Sequence, residues 1–331
     1  MAAESKPNND PFAFVPRPSI PTPNPFVFKT GDTRILITHN KERIEGEVSS
    51  HALCLASPVW EKFIFPPWNS NDAAETSDTA KPIDFSEDDS AALLTLFNIA
   101  HLRFHEVPAC LPYKVLLQVA VLCDQYDCVN LVRPWLSETQ WLKDSADEAV
   151  KTDQEQWLFI AWVFGLEDVF DQLATHLVQT IQVQGDGESW RSLTPMPPLI
   201  MESILSCRIN LLASLLDIPY VLLNKYEAAT DTIIHCIHRI GYCDLVIYAS
   251  ILRNLRLYAL YPRLRPQDFA KTVNELAAVL ESINIHQPPA SDCLVHSSCC
   301  DTTFKSRVAE QLVNPSKPLL PFHHSHFQLL K

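Results

Sequence analysis

Residues 31–65 admit few folds, because the spacing of their apolar positions switches from strand-like to helical within one short stretch. Gly31-Asp32 opens the run Thr33-Arg34-Ile35-Leu36-Ile37-Thr38, a polar turn follows, and Arg43-Ile44-Glu45-Gly46-Glu47-Val48 makes a second run. The hairpin strands alternate only partly: Ile35 and Ile37 face one way, with Arg34, Leu36 and Thr38 on the other. Ser49 or Ser50 then caps a helix containing Ala52, Leu53 and Leu55. Pro58, tolerated in a first helical turn, starts a second helix through Val59, Trp60, Phe63 and Ile64, which Pro66-Pro67 stops. Strands followed by short helices point to an α+β unit.

That unit continues to about residue 137. Residues 68–80 are polar and acidic and read as a surface loop. Ile83-Asp84-Phe85 is a short strand. Ser86-Glu87-Asp88-Asp89 sets carboxylates at the positive end of a helix that buries Leu93, Leu94, Leu96 and Phe97 and runs on to His101. Leu102 to Val107 is an extended link closed by Pro108. Pro112 starts a helix with Leu116, Leu117, Val119, Ala120 and Leu122 at helical spacing, and a last helix carries Val129, Leu131, Val132, Pro134-Trp135 and Leu136. Ahead of the unit, residues 1–28 hold seven prolines, too many for a helix or a sheet interior, and read as a disordered tail.

From 138 to 314 the pattern is helical almost throughout. Trp157, Ile160, Ala161 and Phe164 form one stripe, and Leu166, Val169, Phe170, Leu173, Leu177 and Ile181 a cleaner one. Residues 182–198 make a loop. Helices are expected over about 199–240, bent at Pro219, over Leu245–Leu260, over Pro266–Ile283 and over Thr302–Val313, with 284–298 as a loop. Residues 315–331 read as an irregular tail.

The chain of 331 residues carries 26 basic and 39 acidic residues, a net charge of −13. That balance opposes attraction to phosphate backbones, and no run of Lys or Arg stands against it, so direct nucleic-acid binding is not expected. The N-terminus lacks the pattern of a secretion signal, and the apolar stretches fall short of the roughly 20 residues of a membrane span. An intracellular chain, cytoplasmic or nuclear, is expected, in which the ten cysteines stay thiols or bind metal.

The order hairpin, two helices, strand, three helices resembles the BTB/POZ domain, a protein-interaction module with no chemistry of its own. Asp32, Leu53, Ala56-Ser57-Pro58-Val59-Trp60, Glu87-Asp88-Asp89, His101-Leu102-Arg103-Phe104 and Asp124-Gln125-Tyr126-Asp127 carry the resemblance. The chain departs from that family at Ser49, where a His usually stands opposite the Asp at position 32; His51 is placed elsewhere on the helix. The wider sequence is similar to a fungal subset of BTB proteins through Arg133-Pro134-Trp135, Ala161-Trp162-Val163-Phe164-Gly165 and a later Cys, Cys, His-x-x-Cys series. The resemblance implies a BTB/POZ fold, a small sheet with flanking helices, over 31–137 and an all-α region after it. It also implies work through protein partners: homodimers, transcriptional assemblies, or presentation of substrates to a cullin-based ubiquitin ligase. Leu53, Leu55 and Trp60 are the expected partner face, with plain core as the competing reading. The proline-rich N-terminus disfavours the strand exchange of swapped dimers in this family, so at most a weak homodimer is expected.

Four residues have the chemistry of a structural zinc site. Cys236 and Cys243 lie near a helix break at Gly241, and His296-Ser297-Ser298-Cys299 has a usual zinc-knuckle spacing. Cys293, Cys300, His235 and His238 compete as ligands, and core thiols with solvated imidazoles are the alternative. A metal-dependent hydrolase built on the same cluster is the rival function, but no suitably spaced Glu is present as its general base. His323-His324-Ser325-His326 reads as exposed imidazoles on a mobile tail. The acidic runs at 87–89 and 144–148 read as helix starts rather than acid/base pairs. The sequence has no Gly-x-Ser-x-Gly, no phosphate-cradling glycine loop and no His-Glu-x-x-His. A non-enzymatic interaction protein is the expectation.

Overall fold

A computed structural model describes residues 23–66, 81–137, 140–143, 147, 149–151, 154–183, 194–230, 232–288, 302–313 and 315–330. The chain is α+β, with a three-stranded sheet at its N-terminal end and helices after it. Strands β1 (Thr33–His39) and β2 (Glu42–Val48) pair antiparallel, with Ile35 opposite Gly46 and Ile37 opposite Ile44. Their two-residue turn, Asn40-Lys41, has positive φ at both positions (51° and 70°), the twist that a tight hairpin requires. Helices α1 (Ser50–Ala56) and α2 (Pro58–Ile64) then lead to β3 (Ile83–Phe85), which joins β1 in parallel and gives the order β2-β1-β3.

The proline-rich segment ends sooner than expected. Residues 24–28 lie along the outer edge of β2: Glu47 donates its N–H to the Phe26 carbonyl, and Phe28 N–H donates back to the Glu47 carbonyl, each at 2.9 Å. Phe26 and Phe28 are 0% and 3% exposed. The prolines leave this segment extended, and its alternating phenylalanines face the core. Gly46 is what lets it approach, since a Cβ there would stand 2.8 Å from the Phe26 backbone oxygen.

Ser57 holds α1 and α2 at their angle. Its hydroxyl accepts the N–H groups of Val59 and Trp60 at the start of α2 and donates to the Tyr126 carbonyl. Asp89 caps α3 (Ser90–Ala100) by accepting from Ala91 and Ala92, while Asp88 turns away to accept the Tyr126 hydroxyl at 2.6 Å. Residues expected to form an extended link instead make a turn and a 3-10 helix at Phe104–Glu106. Then come α4 (Tyr113–Gln125) and α5 (Val129–Val132), with a 3-10 turn at Arg133–Trp135.

Helix α6 (Trp157–Phe164) is apolar nearly all round, and accordingly seven of its eight residues are buried. It packs on α4, with Tyr113 stacked 6.2 Å from Trp157. Helix α7 (Glu167–Thr180) buries Phe170, Leu173 and Leu177 of the cleaner stripe. Helix α8 (Ile200–Glu227) carries Pro219 inside it and is long and apolar enough to cross a membrane by length and composition, unlike the shorter runs read from the sequence. Here it serves as the central core helix, touching α7, α9 (Gly241–Leu257), α10 (Val273–Ser282) and α11 (Lys305–Val313). Arg208, 2% exposed, reaches from α8 to the carbonyls of Phe269 and Lys271 at 2.6 Å each.

Several helical limits differ from the expected ones, and α11 begins at Lys305 rather than Thr302. Helix α8 stops at Glu227 rather than 240, because Thr230 and Ile233 exchange backbone hydrogen bonds in a tight turn among β-branched residues. Helix α9 spans Gly241–Leu257 rather than Leu245–Leu260. Helix α10 begins only at Val273, where Thr272 and Glu275 form a reciprocal capping box. The expected irregular tail is α12 (Pro321–Leu330), with Pro321 in its first turn. Its His323 and Phe327 are both 0% exposed against Phe170 and Trp162.

The buried apolar side chains form one cluster that reaches from Phe26 to Phe327 and includes Ile35, Ile37, Leu53, Phe97 and Leu117.

Candidate functional site

The expected partner face divides. Leu53 and Trp60 are 0% exposed: Trp60 lies 5.4 Å from the rings of both Phe97 and Tyr126, so these two side chains are core. Leu55 is 91% exposed. Helix α1 is only two turns long, and residues two apart on a helix face nearly opposite ways; burying Leu53 turns Leu55 outward.

Around Leu55 the structure assembles a groove of about 370 Å³, lined by Ala56, Ile99, Leu102, Phe104, Leu131 and Trp135. Leu102 and Phe104 are 73% and 52% exposed, and the Phe104 ring lies 5.6 Å from Trp135. Trp135 is in turn stacked on Trp141, whose indole N–H donates to the Pro108 carbonyl. The groove wall is thus braced from behind.

The end of α3 sets the position of Leu102. Arg103 N–H reaches back to Asn98 O at 2.8 Å and Leu102 N–H to Ile99 O at 3.0 Å, a helix-terminating pair of bonds that puts the residue between them at positive φ. Glycine is the usual occupant of such a position. Here it is Leu102, at φ 61° and largely in solvent, so a strained backbone presents an apolar side chain.

The neighbouring polar groups fasten this end of the unit. His101 Nδ1 donates to Phe97 O at 2.8 Å, its Nε2 accepts Ser49 N–H at 2.9 Å, and its ring stacks 3.9 Å from Phe28. Burial holds its pKa below the ordinary histidine value. Ser49 makes no side-chain cap on α1; Asp32 takes that role by accepting Ser50 N–H at 2.6 Å and Ser50 Oγ at 2.7 Å. Burial works to raise the Asp32 pKa, but the bonds from Ser50 outweigh it and hold the carboxyl below its usual range. An imidazole therefore does stand beside Ser49, supplied from α3, while His51 is exposed next to Ser50. The sequence signal is His101 itself, at the end of the helical run of α3.

Of the expected zinc ligands, His296 and Cys299 lie outside the described residues, as do Cys293 and Cys300. Cys236 and Cys243 are buried at 2% and 0% exposure. Gly241 is where α9 starts, and Cys243 and Asp244 sit in its first turn. Asp244, 3% exposed, accepts His235 N–H at 2.6 Å, which draws the segment preceding Cys236 against the start of α9. The His235 ring is edge-on to Tyr226, and His238 is half-buried. Among the described residues no group of three or more His, Cys, Asp or Glu side chains is placed to hold a metal ion.

The C-terminal histidines are not the exposed set expected. His323 accepts Leu320 N–H at Nδ1 and donates from Nε2 to Pro198 O at 2.9 Å, and His326 stacks 3.5 Å from Trp162. Only His324 lies at the surface, 3.0 Å from Glu167. Asp88 and Asp89 are engaged as described, and the run at 144–148 lies largely outside the described residues.

Comparison with known proteins finds no matching family, no similar curated protein and no similar solved structure.

Proposed function

We propose that this chain is a non-enzymatic protein-interaction module with a BTB/POZ-like unit over residues 31–137 and a helical region behind it. The order of elements supports that reading: a hairpin, two short helices joined at Ser57, a third strand parallel to the first, then further helices. The observation that carries it is the groove rimmed by exposed Leu55, Leu102 and Phe104. Those side chains gain free energy only when another surface covers them, at roughly 25 cal/mol per Å² of apolar area removed from water. A groove with this apolar lining suits the apolar stripe of a partner helix.

Strand exchange with a second copy is disfavoured, because residues 24–28 already occupy the edge of their own β2. The groove is therefore assigned to a different protein, an adaptor role of the kind that the BTB resemblance implies toward cullin scaffolds. The test is affinity purification of the tagged chain beside Leu55→Asp and Leu102→Asp variants. Both positions are exposed, so the variants should keep the wild-type circular dichroism. Recovery of a cullin by the native chain and its loss from the variants is the expected result. Equal recovery by all three, or by none, sinks the adaptor reading.

A further inference from the structure

A second surface lies beyond the last turn of α9. The stretch Arg253-Asn254-Leu255-Arg256-Leu257-Tyr258-Ala259-Leu260-Tyr261-Pro262-Arg263-Leu264-Arg265 holds four arginines and no carboxylate, in a chain whose net charge is −13. All four arginines are exposed. Two are neutralised from within the chain: Arg263 pairs with Asp217 of α8, and Arg265 pairs with Asp268 at 2.7 Å. Arg253 and Arg256, one helical turn apart on α9, have no carboxylate partner among the described residues. A helix C-terminus attracts one cation to its last turn, which accounts for Arg256 but leaves Arg253 without a local purpose.

The apolar surroundings are equally out of place for a plain solvated end. Leu257 is 73% exposed, Tyr258 37% and Tyr261 42%. The turn that presents them is fixed at every step. Leu260 N–H returns to Leu255 O at 2.7 Å and Ala259 N–H to Arg256 O at 3.1 Å, with Ala259 held at φ 56°. Tyr220 donates its hydroxyl to the Leu260 carbonyl at 2.6 Å, and the Tyr258 hydroxyl accepts from Ser282 at 3.0 Å. The guanidinium of Arg256 lies 5.2 Å over the Tyr261 ring, and that of Arg263 lies 5.5 Å over Tyr220.

We infer that Arg253, Arg256, Leu257 and Tyr261 form a docking surface for an acidic peptide segment that also carries apolar side chains. Two unneutralised guanidinium forks suit carboxylates in geometry as well as charge, and Leu257 offers an apolar anchor beside them. A nucleic acid is the less suitable polyanion. The Tyr261 face that a base would stack on is covered by Arg256, and the remaining chain repels a long phosphate backbone. A short acidic peptide feels that repulsion only within a screening length of about 8 Å at physiological salt.

The test uses the full chain and a short fluorescein-labelled peptide of repeating Glu-Glu-Leu, with fluorescence polarisation as the readout. Binding is expected at low salt and should weaken as salt rises. The double variant Arg253→Glu/Arg256→Glu should lower affinity at least about tenfold. Arg265→Glu, at the arginine paired with Asp268, should change it by less than about threefold. Leu257→Ser should weaken the Glu-Glu-Leu peptide but leave a Glu-Glu-Ser peptide unaffected. The four positions are exposed, so unchanged circular dichroism is required of each variant. Absence of binding, equal loss in the Arg265 variant, or tighter binding of a labelled single-stranded oligonucleotide than of the peptide overturns the proposal.

Discussion

Leu102 and Ala259 occupy equivalent places at the ends of α3 and α9, each at a positive φ that L-residues adopt at a cost of about 1–2 kcal/mol. At Leu102 that cost keeps an apolar side chain in solvent beside the groove. Leu102→Gly should therefore raise stability by about 1 kcal/mol in chemical denaturation while abolishing recovery of the partner proposed for the groove. A loss of stability would show that Leu102 earns its place through packing. The histidines offer a second check. Burial lowers the pKa of His101, His176 and His323, so the unfolded chain takes up protons before the folded one as pH falls. Their contribution to stability is complete above the ordinary histidine value of about 6.5 and is lost progressively below it. Thermal melts at stepped pH should show that decline, and His101→Gln and His323→Gln should each flatten it.

Helix ends and turns hold the structure at its joints, and two of them invite direct measurement. Ser57 satisfies two N–H groups of α2 and the Tyr126 carbonyl from one hydroxyl, so Ser57→Ala should cost about 1–2 kcal/mol in urea denaturation. A change near zero would mean that α2 is held by the burial of Trp60 alone. Helix α12 closes over Trp162 and Phe170 and is tied to the 3-10 turn beside the groove by Arg133, which donates to the Leu330 carbonyl at 3.0 Å. Truncation before Pro321 removes the fully buried Phe327 and should destabilise by about 3–5 kcal/mol. A fully stable truncated chain would mean that α12 docks without contributing to the fold.

The continuous core joins the N-terminal unit to the helices behind it, with α4 packed on α6 and Arg133 bonded to the end of α12. Its oligomeric state follows from the edge of the sheet. With residues 24–28 on β2 of the same chain, light scattering after size exclusion should give a monomer or a dimer that dissociates on dilution. A concentration-independent dimer that disappears on deleting residues 1–30 would contradict this. The zinc expected at Cys236 and Cys243 has no third ligand among the described residues and so rests on His296 and Cys299; native mass spectrometry tests it, one bound zinc supporting the site. A bare-chain mass together with a melting curve insensitive to chelator would remove the metal.

Patterns of local period were readable along the chain: the hairpin at Ile35 and Ile37, the break at Ser57-Pro58, and the stripe through Phe170, Leu173 and Leu177 all depend on near neighbours. The groove was not, because Leu55, Leu102 and Trp135 are far apart in sequence and share a surface only once α1, α3 and the turn after α5 meet. Prolines hid the strand-like role of Phe26 and Phe28, and histidines hid the buried face of α12, since each residue type ordinarily signals the opposite environment. Which apolar residues turn inward depends on the partners that long-range packing supplies: α1 faces the core with Leu53, and that contact leaves Leu55 in solvent.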